Sequence, residues 1–501
     1  MIGKLKNTIL IDLALLGYCL LLFCYVFYRA LYVPFTFDEI TTSQIAVSEV
    51  WNDFGQTANN HLLNTILIKG ILIFFEPSEF IFRLPNVFAF ILYLIYAHKI
   101  GKLITSSAPF ITLVFLTSMP FVLDFFSLSR GYGLSLAFIL TSIYFLLKYS
   151  ITVKFKFALV SLNFGILAVL SNLSSINYLL PSLIVIILIT LFSKEKVLFR
   201  ICTICTISLV FLYYILPIVF QLKNRGELYF GGRNGFFTDT ILSLSRTFAY
   251  HQLNISLSEI VISIIFLIAV LFSIINIFET FRSKKVDFKV ILPILFFLCI
   301  LSPVSQNILF ETWYPTERTA LLYYPIMILA FVNGLNRIFN LIEIMLLKLL
   351  AFFFIVHVIF IANLSHCYSW RFESGTREAI NFLKEENKRK EKGTFTTVGI
   401  DYLFIPSFWF YKAEYGSLKE IEVIHCWEFD MSIEELDPQY YSNSINQKDK
   451  LSNEDAENIF STRLDYYYLN DFVVDELIRH GYSVQVTKRF EIAGSSLIKL
   501  L

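Results

Sequence analysis

About eleven blocks of apolar residues, each near the length that crosses a bilayer, follow one another between residues 8 and 364. A hydrocarbon core roughly 30 Å thick calls for about 20 apolar residues per helix. Lipid offers no partner to an open backbone group, so repeated blocks of this length fold as membrane helices. The blocks run over residues 8–33, 81–101, 107–126, 132–149, 156–171, 177–193, 198–220, 257–279, 290–309, 319–337 and 344–364. The first has a short basic start but an apolar run too long for a signal-peptide core, and it is read as a retained span. Residues 61–75, HLLNTILIKGILIFF, are short and carry Lys69, which predicts a helix lying in the interface. A soluble chain is about a quarter charged. This one is 16% charged and contains 53 Phe, with its apolar residues in long runs.

Charge placement orients the spans. With Lys4 and Lys6 in the cytoplasm, alternate turns carry Lys99 and Lys102, then Lys148, Lys154 and Lys156, then Lys194, Lys196 and Arg200, then Arg282, Lys284, Lys285 and Lys289, and finally Arg337. All are short and basic, as the positive-inside rule requires. Counting 61–75 as a span would invert every later turn. The opposite face has longer loops, 34–60, 221–256 and 310–318, richer in acids, aromatics, Asn and Gly. A net charge of +1 gives no sign of a nucleic-acid partner.

After residue 365 the chain changes character, which predicts a membrane domain over 1–365 and a soluble extracytoplasmic domain over 366–501. Short alternating runs at 396–400, 420–425 and 464–470, and the pair SVQVTKRFEI and SSLIKLL, predict strands. Residues 376–391 and 470–481 predict helices, and the mixture predicts a small α/β domain. It contains no phosphate-binding glycine loop. Cys367 and Cys426 lie here, where an oxidising compartment would allow them to pair. The CxxC of Cys202 and Cys205 sits in an apolar block and reads as packing.

The candidate chemistry gathers on the external side. Asp38 and Glu39 follow the first span at once, and ionisable groups at the membrane rim are costly. A paired acid serves as general base toward a hydroxyl or as ligand to a divalent metal, with a solvated helix end as the plain alternative. No cofactor is required; a divalent metal held by Asp38 and Glu39 is the open option. Asn59, Asn60 and His61 open the interfacial helix, as a cap or as ligand-orienting groups. Arg83, in FRLPN, and Arg130, in DFFSLSRGYG, stand on the side where the positive-inside rule puts few cations. They either snorkel or meet an anion such as a phosphate. Asp124 either pairs with Arg130 or acts as a second acid. Tyr314 and Arg318 lie in ETWYPTERTALLYYP, between Glu311 and Glu317. Loop 221–256 adds Lys223, Arg225, Arg233 and Arg246 around Gly231 and Gly232, which suits an anion-binding flap or a solvated loop.

The acidic pair after span one, Asn-His before the interfacial helix, RLPN at span two and SRGYGLSLAF at span four together resemble the GT-C superfamily. The resemblance is to polyprenyl-phosphate-sugar-dependent transferases, such as protein O-mannosyltransferases and lipid A aminoarabinose transferases. It is good over about residues 8–150 and looser through the YPTERTALLYYP loop. It implies a GT-C-like polytopic α-helical membrane fold, with about 11 transmembrane helices and an interfacial helix, and a small C-terminal α/β soluble domain. Asp38 matches the first-loop acid, the base of that family, and Glu39 is its neighbour. His61 matches the family's histidine, although Leu62 and Leu63 stand where the family has prolines. Arg83 matches the RLP arginine, Arg130 the arginine-tyrosine segment, and Asp124 the rough position of a second acid.

The expected activity is inverting transfer of a sugar from a polyprenyl-phosphate donor to a lipid, glycan or protein hydroxyl, at the outer face of a cell membrane. A lipid-linked donor accounts for the missing nucleotide-binding fold. A flippase of lipid-linked glycans and a membrane scaffold are the alternatives. Transporters, however, commonly place their acids near the bilayer midplane, whereas here the polar residues gather at one rim.

Overall fold

The computed structural model of the chain describes residues 2–47, 57–104, 109–193, 196–228, 230–250, 252–283, 290–335, 341–390, 396–401, 404–415, 421–427, 464–479 and 481–500. They divide into two compact units. The larger comprises Met1–Ala30, Ile45–Phe75 and Phe80–Ala362; the smaller comprises Leu31–Gln44, Glu76–Glu79 and Asn363–Leu501.

The helical part of the chain begins with α1 (Ile2–Tyr32), α2 (Phe37–Val47), α3 (Leu62–Leu72), α4 (Glu79–Ile104), α5 (Pro109–Thr117), α6 (Pro120–Phe126), α7 (Gly131–Thr152) and α8 (Phe155–Ser171). It continues through α9 (Ile176–Leu191), α10 (Val197–Asn224), α11 (Leu242–Ala249), α12 (Ile255–Ser283), α13 (Ile291–Phe310), α14 (Glu317–Ala320), α15 (Tyr323–Leu335) and α16 (Leu341–Ile361). Among the described residues, 7 helical stretches are long and apolar enough to cross a membrane, or 8 with the bent pair α5–α6 counted as one span. The larger figure is below the eleven expected because three apolar blocks form shorter helices: α8, α15 and the described Leu347–Ile361 stretch of α16. The chain is a multi-pass membrane protein. The stretch predicted to lie in the interface forms α3, an 11-residue helix.

The bend of 78° between α5 and α6 has a local cause. Pro120 at the first position of α6 cannot donate to the preceding turn, and proline disfavours helical backbone in the residue before it. Met119 is accordingly extended. The carbonyls freed at this buried break find hydroxyls. Tyr324 Oη donates to Phe115 O at 2.7 Å and Tyr93 Oη to Leu116 O at 2.7 Å. A broken helix at membrane depth survives only when its open groups are paired in this way.

In the smaller unit the chain adds α17 (Thr376–Lys388), β1 (Thr396–Asp401), α18 (Ile405–Tyr415), β2 (Ile421–Trp427), β3 (Tyr466–Asn470), α19 (Asp471–Arg479), β4 (Val484–Phe490) and β5 (Ser495–Leu500). One sheet forms with strand order β2-β1-β3-β5-β4. β1 runs parallel to β2 and β3, while β5 is antiparallel to β3 and β4. Helix α19 closes one face, packing Val473, Val474 and Leu477 against Tyr467, Leu469 and Ile498. This is the small α/β domain the alternation predicts. Whether Cys367 pairs falls outside the described structure, because the side chain of Cys426 is not described.

Candidate functional site

In the larger unit, the segment before α3 meets the start of α7. His61 precedes α3 and is buried. Its Nδ1 lies 2.9 Å from Ser171 O. A carbonyl only accepts, so Nδ1 carries the proton and Nε2 the lone pair. Nε2 is buried and has no hydrogen-bond partner among the described residues. Burial first, then Arg130 and, more weakly, Arg318, hold the imidazole well below its usual pKa. His61 is therefore a neutral acceptor with two guanidinium groups within electrostatic reach. Its ring packs edge-on to Tyr132, with centroids 4.8 Å apart.

Gly131 makes this approach possible. A Cβ there would collide with Ser171 O and stand 2.8 Å from His61 Cβ. Arg130, buried at the N-terminal cap of α7, donates to Asn59 O at 3.0 Å and Asn59 Oδ1 at 3.3 Å. Asn60 takes a bond from Thr65 Oγ1 at 2.9 Å, so its oxygen serves the first turn of α3 through a side chain. Asn86 donates to Asn64 Oδ1 at 2.8 Å and accepts the Leu134 N–H at 3.1 Å. The asparagine of RLPN thus locks α3, α4 and α7 together, a role sequence reading did not assign. An opening beside these residues is lined by Thr57, Asn60, His61, Ser171, Asn172 and Leu222.

The other expected residues of this unit are placed as follows. Arg83 is fully buried and donates to Ala30 O at 3.1 Å, capping the last turns of α1. Asp124 forms an ion pair of 2.6 Å with Arg29, where the sequence suggested Arg130, and accepts Tyr250 Oη at 2.7 Å. This buried triad ties α1 to α6 and gives Asp124 a structural task. Tyr314 bridges Gly232 through both backbone bonds, at 2.9 and 2.8 Å, and its Oη donates to Asn307. The glycines of this loop serve close approach: a Cβ on Gly231 would stand 2.7 Å from Tyr314 O. Arg233 stacks over Trp313 and Arg318 over Phe230, both at 4.3 Å. The loop expected as a flap is thereby laced to the loop bearing Arg318. Glu317, the neighbour of Arg318, holds a left-handed backbone at φ 42°, strain of the kind that collects at ligand-binding segments.

Asp38 and Glu39 belong to the smaller unit. Both are buried. Glu39 Oε2 accepts the Thr36 N–H at 3.0 Å. Thr36-Phe37-Asp38-Glu39 is thus half of a capping box, a signal present in the sequence and not read there. Asp38 stands in the first turn of α2, where the helix dipole favours a carboxylate. Sequence reading missed Glu373, whose buried carboxyl accepts Ser407 Oγ at 2.7 Å and Thr376 Oγ1 at 2.8 Å. Burial pushes it up to about 7, with a further push from Glu39. No sequence pattern marks it. Among the described residues no three or more His, Cys, Asp or Glu side chains gather as a metal site.

Neither a family model nor a curated protein matches the chain. A solved structure does: ArnT from Cupriavidus metallidurans bound to undecaprenyl phosphate, at 11% sequence identity and a TM-score of 0.53, covering 97% of each chain. The chain shares the polytopic helical membrane fold of that structure.

Proposed function

We propose that the protein transfers a sugar from a polyprenyl-phosphate carrier to an acceptor hydroxyl at the extracytoplasmic membrane face. The observation that carries this reading is the buried pair His61 and Arg130, with half-buried Arg318 within electrostatic reach, in a chain whose fold matches over 97% of its length a protein solved with undecaprenyl phosphate. Arg130 and Arg318 receive the carrier phosphate and stabilise the charge it gains as the sugar leaves. Nε2 of His61, a neutral acceptor, takes a hydrogen bond from a sugar hydroxyl. Asp38 is the base. The acceptor oxygen gives its proton to the Asp38 carboxylate and bonds to the anomeric carbon. The bond from that carbon to the phosphate oxygen breaks, its electron pair leaves with polyprenyl phosphate, and the anomeric configuration inverts. Glu39 holds the backbone of this helix start, and Asn60 and Tyr314 shape the loops that frame the sugar. The chemistry as written uses no metal.

Purified protein incubated with polyprenyl-phosphate sugars should release polyprenyl phosphate, unaffected by chelator. Asp38→Asn should insert in the membrane and fold but release none. Absence of release from every donor tried, by well-folded protein, would overturn the reading.

A further inference from the structure

The residues that bear Asp38 and Glu39 fold with the C-terminal domain and are held there at several points. Arg377, in the first turn of α17, forms an ion pair with Glu79 and donates to Tyr32 O at 2.7 Å. A cation in the first turn of a helix meets the positive end of the dipole, so α17 itself gives Arg377 no reason to be there. Tyr411, on α18, accepts the Phe35 N–H at 3.3 Å and also bonds to Glu79. The rings of Phe35 and Phe410 lie 4.7 Å apart. Glu373, bonded to Ser407 at the start of α18 and to Thr376 at the start of α17, stands within electrostatic reach of Glu39. Ser407 opens the helix that follows the carboxyl end of β1. That is the side on which open α/β sheets ordinarily receive a ligand.

We propose that the C-terminal α/β domain is the positioning element of the catalytic acid: Arg377 and Tyr411, with Glu79, clamp residues 32–39 and aim α2. The assignment of catalysis to Asp38 rests on the function proposed above; the clamp does not. The domain's own ligand is the first external loop of the chain. Arg377, Glu79 and Tyr411 are positioning residues, since each acts on Asp38 through the backbone that carries it. Misplacing a catalytic group by an ångström costs turnover more than ground-state binding.

The test uses full-length protein with Arg377→Ala, Glu79→Ala, the two combined, Arg377→Lys, and Lys488→Ala as control. The control breaks the Lys488–Glu378 ion pair, which joins β4 to α17 within the same domain. Each single clamp variant should lower kcat by about ten-fold with the donor KM within about two-fold. The combined variant should lose less than the product of the two single losses, because the two share the Arg377–Glu79 contact, while Arg377 alone holds Tyr32 O and Glu79 alone bonds to Tyr411. Arg377→Lys should recover part of the loss. Hydrogen exchange of the amides in 36–44 should quicken by about ten-fold in Arg377→Ala while those of β1 and β3 stay as in the parent. Lys488→Ala should change neither readout.

Unchanged exchange in 36–44, or exchange that rises equally across the sheet, would overturn the clamp. A rise in KM at constant kcat would overturn its positioning role. If the parent releases no polyprenyl phosphate, the functional reading fails, and exchange alone decides the clamp.

Discussion

At the scale of single residues, the placement of His61 depends on a missing side chain. Gly131→Ala puts a methyl into Ser171 O and against the imidazole, and backbone cannot yield as a flexible side chain does. The variant should lose about ten-fold or more in kcat/KM for release of polyprenyl phosphate. Gly70→Ala, where nothing lies within 4 Å of the new Cβ, should be neutral or gain about 1 kcal/mol of helix stability. Glu373 makes a second case. Its carboxyl is raised from 4.5 to about 7 by burial, with Glu39 and Tyr468 facing it, while Ser407 and Thr376 oppose the shift. The folded state therefore binds the proton more tightly than the unfolded one. Its contribution is fully present below pH 4.5 and is lost as pH rises through about 7. A shift of this size corresponds to roughly 3 kcal/mol. Glu373→Gln should keep the two hydroxyl partners, unfold at a higher temperature than the parent at pH 8, and flatten the decline between pH 5 and 8 in thermal unfolding scans. A decline as steep as in the parent would place the titrating group elsewhere.

Among the elements, the break between α5 and α6 is the part most exposed to a small chemical change. Pro120 announces it in the sequence, but the span was read as continuous because its apolar block is unbroken over 107–126. What sustains the break comes from elsewhere in the chain, at Tyr93 and Tyr324. Tyr93→Phe leaves the buried Leu116 carbonyl short of a donor and should cost about 1–3 kcal/mol in detergent unfolding, whereas Tyr324→Phe should cost less, because Ser118 Oγ still donates to Phe115 O at 2.9 Å. The same loss from an exposed tyrosine such as Tyr213 should not be measurable. Helices of length near that of the bilayer were legible because twenty apolar residues leave few alternatives. The clamp of the first loop was not, because its partners are far apart in sequence: Glu79 and Arg377 are separated by 298 positions, and Phe35 and Tyr411 by 376. Neither pair leaves a periodic or local signature. The Thr-x-x-Glu box at 36–39 was legible, and it shows that Glu39 has a backbone task beside any chemical one.

For the whole molecule, the distribution of cations carries the topology. In the larger unit Lys99 lies over Tyr96 at 4.8 Å, Lys148 over Tyr144 at 5.7 Å, Lys156 over Phe157 at 5.3 Å and Arg200 over Phe155 at 5.6 Å. These pairs sit at the C-terminal ends of α4 and α7 and the N-terminal ends of α8 and α10. A side chain with an apolar stem and a charged head, resting on an aromatic ring, is what a membrane–water boundary selects. The His61 and Arg130 group lies at the other ends of these helices: His61 bonds to the last residue of α8, and Arg130 caps the start of α7. The positive-inside rule then predicts the aromatic–cation belt at the cytoplasmic face and the candidate site at the outer one. That arrangement requires α3 not to span, since one further crossing would exchange the faces for everything after it. Single cysteines placed at Lys154 and at Arg233, in a background without the native cysteines, should report it. A membrane-impermeant thiol reagent applied to intact cells should label position 233 and leave 154 untouched until the membrane is opened. Labelling of 154 from outside would reverse the faces, and the lipid-linked donor would then have to be met from the cytoplasm.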